Sequence, residues 1–585
     1  MGNKDLMWHC IKRMKKMKRH IIIPVLLLIS FFPVYGQNSG QDLKREVTLY
    51  NPYKPSLVEF RKRSSLPEMT DTSNTRPEFK YDVTTRPYFP VYTISPIKAA
   101  SLLPDPLPEL YKSYINLGLG NYLSPLAEIS ITSERSKKGA FGFYANHYSS
   151  NGKVRLQNDK KVFAGYMDND VSLFGKKFFK KNILDGSLDF SQKLRYAYGY
   201  DTSIVNYDPV NKQIRIGYNT LGANLSFASV TLDSSDFAYD FDLNYDIFYT
   251  SKNYYQQSLG VKGTMARVYK GFYAGSGLGL DMELLPEIIM ADPKYKASVS
   301  PFVTKSTTQW AFRLGMELLL DKNMEDKPVF HIYPDVSFGF SVVPSYISFF
   351  TGLSGNLERN NPATIIQQNP FLVRGKTLFI QPNTDHKLIV SAGLKGNNGI
   401  GGNYLLKASY EIADDMLFYS NFVFPDSLFS PEMGNHFLAL HDDVEILNVH
   451  GEFSGKITDK IGYNGSANWY KYTLAENDFA WNRPEWDIRG SVKYNLRDKI
   501  IAGIDATALG KRRLLASRIN ELPPATNLIF TTPVHVNINL SAEYRYSKIL
   551  SFWFRLNNIS FNRYYEWAFY PSQRFMGLIG FSYSL

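Results

Sequence analysis

From Val534 to Tyr546 apolar and polar residues alternate without a break. Val534, Val536, Ile538, Leu540, Ala542, Tyr544 and Tyr546 share one face, and His535, Asn537, Asn539, Ser541, Glu543 and Arg545 share the other. A period of two predicts a strand with one apolar and one polar face. After a tight turn at Ser547-Lys548 the alternation resumes, with Leu550, Phe552, Phe554 and Leu556 against Ser551, Trp553, Arg555 and Asn557. It returns at the end in Phe575, Gly577, Ile579, Phe581, Tyr583 and Leu585. Upstream, Phe237 to Tyr249 sets Phe, Tyr, Leu and Ile on one face and Asp240, Asp242, Asn244 and Asp246 on the other. Leu447 to Ile457, Tyr463 to Trp469 and Trp486 to Leu496 behave in the same way. Leu110 to Asn121, Leu126 to Ser133 and Gly139 to Tyr148 read as the opening strands.

Strands of soluble sandwiches usually run to about 5–6 residues. A strand that crosses a membrane within a barrel needs about 9–11, which these reach, and no segment of 3.6-residue periodicity is long enough to build helical domains. Connections alternate between short (122–125, 458–460, 497–499, 547–548) and long (150–164, 200–212, 357–385, 473–484, 510–532), as outer-membrane barrels pair short periplasmic turns with long extracellular loops. The expected fold is all-β: a large antiparallel transmembrane β-barrel over 109–585, of about 22 strands within a range of roughly 18–24. A soluble propeller is the rival all-β reading, and no 40–50-residue repeat supports it.

The first 36 residues read as an export signal. Lys12, Arg13, Lys15, Lys16, Lys18 and Arg19 precede an apolar run from Ile21 to Val34, and Val34-Tyr35-Gly36 suits cleavage before Gln37. The run is shorter than the roughly 20 residues of a spanning helix. Residues 37–108 carry ten prolines, which oppose both ladders and helices. They read as a periplasmic or lumen-occluding segment, or as a disordered leader, and Arg61-Lys62-Arg63 within it as a solvated face.

Composition then narrows the chemistry. Of the net charge of +12, half resides in residues 1–36, so the high pI is no argument for nucleic acid. The single cysteine, Cys10, leaves with the signal, which removes disulfides, thiol nucleophiles and cysteine metal sites. Mean hydropathy is low at −0.25 and aromatics reach 15%, as expected where every second strand residue faces lipid and aromatic girdles mark the interfaces. Lys395-Gly-Asn-Asn-Gly-Ile-Gly-Gly-Asn403 lacks the ending of a phosphate loop and reads as a hairpin turn. Asp240, Asp242 and Asp246 lie in a row, whereas a hard cation wants about six converging oxygens, so they read as a lumen face. His147 with Ser149 and Ser150, and His441 with Asp442-Asp443, have no diagnostic catalytic spacing, and no enzyme activity is expected. The aromatic-basic stretch Lys193 to Tyr200 fits an interface girdle better than base stacking.

The C-terminal residues resemble a family. Arg555-Leu-Asn-Asn558, Asn562-Arg-Tyr-Tyr-Glu566, Tyr570-Pro-Ser-Gln-Arg574 and Phe575-Met-Gly-Leu-Ile-Gly-Phe-Ser-Tyr-Ser-Leu585 are similar to the last two strands of TonB-dependent receptors. The resemblance is specific over about fifty residues and architectural over the rest of 109–532, and it implies a 22-stranded barrel. Such receptors also carry an N-terminal plug and a TonB-contacting box, and neither is found in 37–108. The expected protein is therefore a receptor-like outer-membrane barrel with transport or receptor activity, or else a non-transporting barrel that partners other envelope proteins through 37–108. Phe575, Ile579, Phe581, Tyr583 and Leu585 would close the barrel on its first strand, and Asp240, Asp242, Asp246, Glu543 and Arg545 would face the lumen. Outer-membrane lipid and the barrel assembly machinery are the expected partners, and no cofactor, metal or nucleic acid is expected.

Overall fold

The computed structural model describes residues 111–585 apart from 134–135, 201, 203–209, 231–236, 252–254, 287–291, 324–326, 373–375, 400, 424–435 and 519–525. The expected signal over 1–36 and the proline-rich segment 37–108, with its basic cluster, lie outside the described residues.

Twenty-two strands form one closed antiparallel ring. Each pairs with the next along the chain, from Ser113–Gly120 onward, and the last, Met576–Ser584, pairs back onto the first. The seam is in continuous register, with Ile115 opposite Tyr583 and Leu119 opposite Ile579. The turns that the sequence marks are present. Arg497 and Asp498 both have positive φ (52° and 55°), as a two-residue turn matched to strand twist requires. In the glycine-rich connection, Gly399 and Gly401 take φ of 79° and 89°, and the Asn398 side chain accepts from the Gly402 N–H. It is a hairpin turn.

The two ends of the ring differ in the lengths their connections reach. At the end where the described chain starts and stops, no connection exceeds eight residues, the longest being 230–237. At the other end lie 151–165, 197–214, 359–383, 424–435, 475–485, 510–534 and 558–575. One expectation needs correction here. The turn after the first strand, expected over 122–125 with the other short turns, sits at the long-loop end, since strands alternate in direction. It is also displaced: Ser124 and Pro125 are already in the second strand, and Tyr122 and Leu123 turn the chain with φ of 63° and 48°. Neither residue type advertises a left-handed conformation, so the sequence pattern shifts the turn toward Pro125.

The buried apolar clusters within the strands are small, such as Leu319 with Tyr333 and Leu357, and one face of the wall is apolar and exposed. Leu173, Leu188, Leu225, Leu243, Ile504 and Ile579 are among many large side chains left open there. A soluble protein rarely leaves so large an apolar surface uncovered, and a lipid-facing band requires it. The other face carries polar ladders. Asn169 donates to Gln192 and Gln192 to Asn219, each at 3.0 Å, and the His147 ring lies 2.6 Å from Asn169, so one row of side chains links four neighbouring strands. The largest buried apolar cluster lies at the long-loop end, built from loops and strand ends.

Candidate functional site

The site is the long-loop mouth of the ring. Its central element is the connection 359–383, between the thirteenth and fourteenth strands of the ring. Within it the helix Pro362–Gln368 begins on a capping box: Asn361 accepts from the Thr364 N–H at 2.9 Å, and the Thr364 hydroxyl meets the Asn361 backbone. Pro362 at the first helical position suits a start that needs no N–H there. The apolar side chains Ile365 and Ile366 are buried, so the helix packs inward.

The root of this loop is ionic. Arg359 reaches Glu283 at 3.4 Å and Asp321 at 3.8 Å, and both carboxylates are nearly inaccessible. Asn361 donates to Glu283, and Asn383, at the other root, donates to Asp321 at 2.9 Å. The Lys294 ammonium donates to the carbonyl of Phe379 in a buried bond of 3.0 Å. Three strands thus hold the two ends of the loop by charge-assisted bonds, which are about twice as strong as neutral ones.

The tip is apolar and aromatic. Phe371 stacks on Tyr570 with ring centroids 4.0 Å apart and meets Tyr198 edge-on at 6.4 Å. Tyr218 donates to the Pro370 carbonyl at 2.8 Å, and the Phe437 N–H donates to the Phe371 carbonyl at 3.0 Å. Tyr570 belongs to the connection 558–575, between the twenty-first and twenty-second strands, and Tyr198 to 197–214, between the fifth and sixth. The three loops are therefore rooted about a third of the ring apart. Loops so placed meet only over the middle of the mouth, so Phe371, Tyr198 and Tyr570 form the crown of a cap that spans it.

Other connections complete the cap. The hairpin Arg513–Arg518 with Thr526–Thr531 adds to the strand Asn403–Val423 in parallel and contributes Leu514 and Ala516 to the buried cluster. The hairpin Lys153–Arg155 with Lys161–Phe163 contributes Val154 and Val162. Arg512 ties three loops together, donating to the Asn482 side chain at 3.0 Å and to the carbonyls of Tyr565 and Glu566 at 2.6 and 3.2 Å. Burial lowers its guanidinium from the ordinary range, with Glu566 opposing that shift. Glu566 touches water in the mouth but is crowded by protein, which pushes its carboxyl upward while Arg512 and Arg195 pull it down. Burial drives the Tyr564 phenol up to about 12.

The residues singled out in the sequence fall elsewhere. Asp240, Asp242 and Asp246 lie in one row of the strand Ala238–Thr250, opposite in face to the exposed Leu243 and Tyr245. Asp242 stands across from Lys262, and Asp246 across from Ser258. Among the described residues no group of three or more His, Cys, Asp or Glu is placed to hold a metal ion. Glu543 and Arg545 form an ion pair at 3.3 Å. Ile579 and Phe581 stand exposed on the final strand and Tyr583 is partly covered; Phe575 precedes the strand and stacks on Phe561, and Leu585 follows it with its N–H on the Ser113 carbonyl. His441 contacts the Gln381 side chain and the Asp415 carbonyl, while Asp442 accepts from the N–H groups of Ala475, Glu476 and Asn477. In the stretch Lys193 to Tyr200, Arg195 makes a two-pronged contact with Asp168 at 2.7 and 3.1 Å. Of these sets only the stretch Lys193 to Tyr200 meets the crown, through Tyr198. Phe371 carries no local signal, Tyr198 stands in an aromatic-basic stretch that reads as a girdle, and Tyr570 stands in a stretch that the family resemblance marks.

No family model and no curated protein matches this chain. Solved structures do. The ferripyoverdine receptor of the Pseudomonas aeruginosa outer membrane is 11% identical with a TM-score of 0.57, over 81% of this chain and 72% of that one. The FrpB iron transporter of Neisseria meningitidis is 11% identical with a TM-score of 0.59, over 82% of each chain. The ferric-catecholate import receptor Fiu of Escherichia coli is 9% identical with a TM-score of 0.55, over 81% of this chain and 82% of that one. At such identity the likeness shows the fold: this barrel is TonB-dependent-receptor-like, in keeping with the C-terminal resemblance.

Proposed function

We propose that this chain is an integral outer-membrane barrel that recognises or passes a solute, and that it rests with its outer mouth closed by its own loops. The long-loop end faces outward and the short-turn end faces the periplasm, following the length rule for such barrels. Asp240, Asp242, Asp246, Glu543 and Arg545 line the lumen, residues 1–36 direct export, and 37–108 lie on the periplasmic side or within the lumen. The observation that carries this reading is the crown, where loops rooted a third of the ring apart meet at Phe371, Tyr198 and Tyr570. A ring of this size is wide enough to need an internal plug or a lid.

What the structural neighbours bind belongs to them. For this chain the mixed-charge wall supports a polar or charged solute. The rival is a barrel that never opens and serves as a partner in an envelope complex, and the dense apolar packing of the cap favours it over an open pore. Single-channel conductance of the mature protein separates the two, measured with and without 37–108 and with 362–382 replaced by a short Gly-Ser link. Large current on shortening the loop supports a loop gate. Large current only on removing 37–108 moves the gate to that segment. Silence in every form favours the partner reading, and co-purifying envelope proteins become its test.

A further inference from the structure

The short-turn rim is not uniform in charge. Lys137 and Lys138 in one turn, Lys176 and Lys177 at the end of the strand Tyr166–Phe178, and Lys180 and Lys181 in the next turn are all exposed. They are neighbours in space: Gly139 pairs with Lys177, and the Phe178 N–H donates to the Lys138 carbonyl. Asp185 answers one of them, pairing with Lys176 at 2.6 Å. Every other short turn of the ring carries at most two lysines or arginines in sequence.

On the outer face of the same strands a groove of about 540 Å³ is lined by Phe141, Leu173, Leu188, Leu225, Leu243 and Leu259, with Gly186 leaving its floor open. Lys177 stands on the same face as Leu173 by strand alternation, and its ammonium lies 5.4 Å from the centre of the exposed Phe179 ring. Phe227, Tyr239 and Phe241 meet in tilted ring contacts on the neighbouring strands, as an interfacial girdle does. Lys177 thus stands four residues beyond Leu173 on the groove's own face, toward the short-turn rim.

We propose that this is a site for one anionic phospholipid of the periplasmic leaflet, with an acyl chain in the groove and its phosphate among Lys177, Lys180, Lys181 and Lys137. The assignment rests on the orientation given under the proposed function. Charge complementarity selects the anionic headgroup, and the continuity of the groove with the lipid-facing band selects a lipid over a free phosphate. A basic residue at a membrane surface changes occupancy by about fivefold, so removing three costs roughly a hundredfold.

The test uses the full barrel, folded in detergent, with native mass spectrometry of retained phosphatidylglycerol against phosphatidylethanolamine of equal chain length. The parent is expected to retain one phosphatidylglycerol. Lys177→Gln combined with Lys180→Gln and Lys181→Gln is expected to need about a hundredfold higher lipid concentration to retain it. Gly186→Leu, whose new Cβ would meet only ordinary contacts at 3.6 Å, is expected to expel it by filling the floor. The lysine changes lie at the rim and leave the ring intact, so the test survives if the glycine variant fails to fold. Equal retention of both lipids, full retention by the lysine variant, or displacement by glycerol phosphate would each overturn the site. A chain that inserts as a heat-modifiable barrel but shows no lipid preference defeats this inference alone; a chain that does not insert at all defeats the membrane reading beneath it.

Discussion

Phe371 is the keystone of the cap, and its removal tests the whole account of closure. The side chain is buried at 7% exposure, stacked on Tyr570 and edge-on to Tyr198. Phe371→Ala removes a buried ring, which in well-packed surroundings costs about 3–5 kcal/mol, including about 0.5–1.5 for an aromatic pair. The hydrogen bonds to the carbonyls of Pro370 and Phe371 survive, because they involve backbone. We therefore take the lower part of that range, about 3–4 kcal/mol, which reduces the ratio of closed to open cap by roughly two to three orders of magnitude. The ring hydrogen bonds are untouched, so global unfolding moves little while local opening becomes frequent. The assay is single-channel recording paired with amide exchange over 359–383 and 558–575. Phe371→Leu, which keeps most of the volume, is the control and is expected to stay within about 1.5 kcal/mol of the parent. The expected result is long open events in the alanine variant alone. The reasoning is refuted if cap amides exchange freely in that variant and conductance stays at the parent level, since closure would then lie elsewhere. It is equally refuted if those amides remain as protected as in the parent.

Three further outcomes follow from the same contacts. Arg359→Ala leaves the buried carboxylates of Glu283 and Asp321 to Asn361, Asn383 and Lys294, and losing one partner of such a set costs about 3 kcal/mol, so exchange of 359–383 accelerates by about two orders of magnitude. Arg512→Ala loosens 558–575 and exposes it to limited proteolysis, while Glu566→Gln changes pH dependence: a carboxyl raised by packing holds its proton more tightly in the closed cap, so cap stability is greatest below the ordinary glutamate range and falls as pH rises through the raised value, and the glutamine variant loses that decline. At the seam, Gly118→Ala drives a methyl into the Trp553 indole, whose Nε1–H donates to Asn116 at 2.6 Å; urea unfolding in vesicles is expected to show a large loss that shrinks in a Trp553→Phe background, with a coupling of about 0.5–3 kcal/mol.

The ring was legible because its signal is local and repeats. Val534 to Tyr546 announces a strand by alternation alone, and Asn398-Gly399 and Arg497-Asp498 announce turns by residue type. Counting such segments brackets the strand number at about 18–24, and the C-terminal resemblance implies the 22 that the ring has. The end to which a turn belongs does not follow from the count, because it depends on the parity of the strands that separate it from the others, and so length alone groups the connection after Gly120 with turns it does not adjoin. The cap left still less trace. Phe371 is an isolated aromatic, Tyr198 and Tyr570 stand in aromatic-rich stretches that point to other roles, and the meeting of the three depends on roots spaced around a closed ring, which no window of sequence contains. Arg359 and Glu283 likewise give no sign in the sequence that they meet, since they sit 76 residues apart.

The seam also sets the order of events during biogenesis. Trp553 and Asn116, which hydrogen-bond across it, lie 437 residues apart in the chain, and the first strand finds its second partner only in the last. Closing so long a loop comes late, since its entropy cost must be met before the contacts reward it. Until then Ser113–Gly120 and Met576–Ser584 are both edge strands with unpaired backbone, the arrangement most prone to pair with a neighbour's chain. A ring that is safe once shut is thus a hazard for as long as its synthesis lasts, and its two ends need a chaperoning surface until they meet.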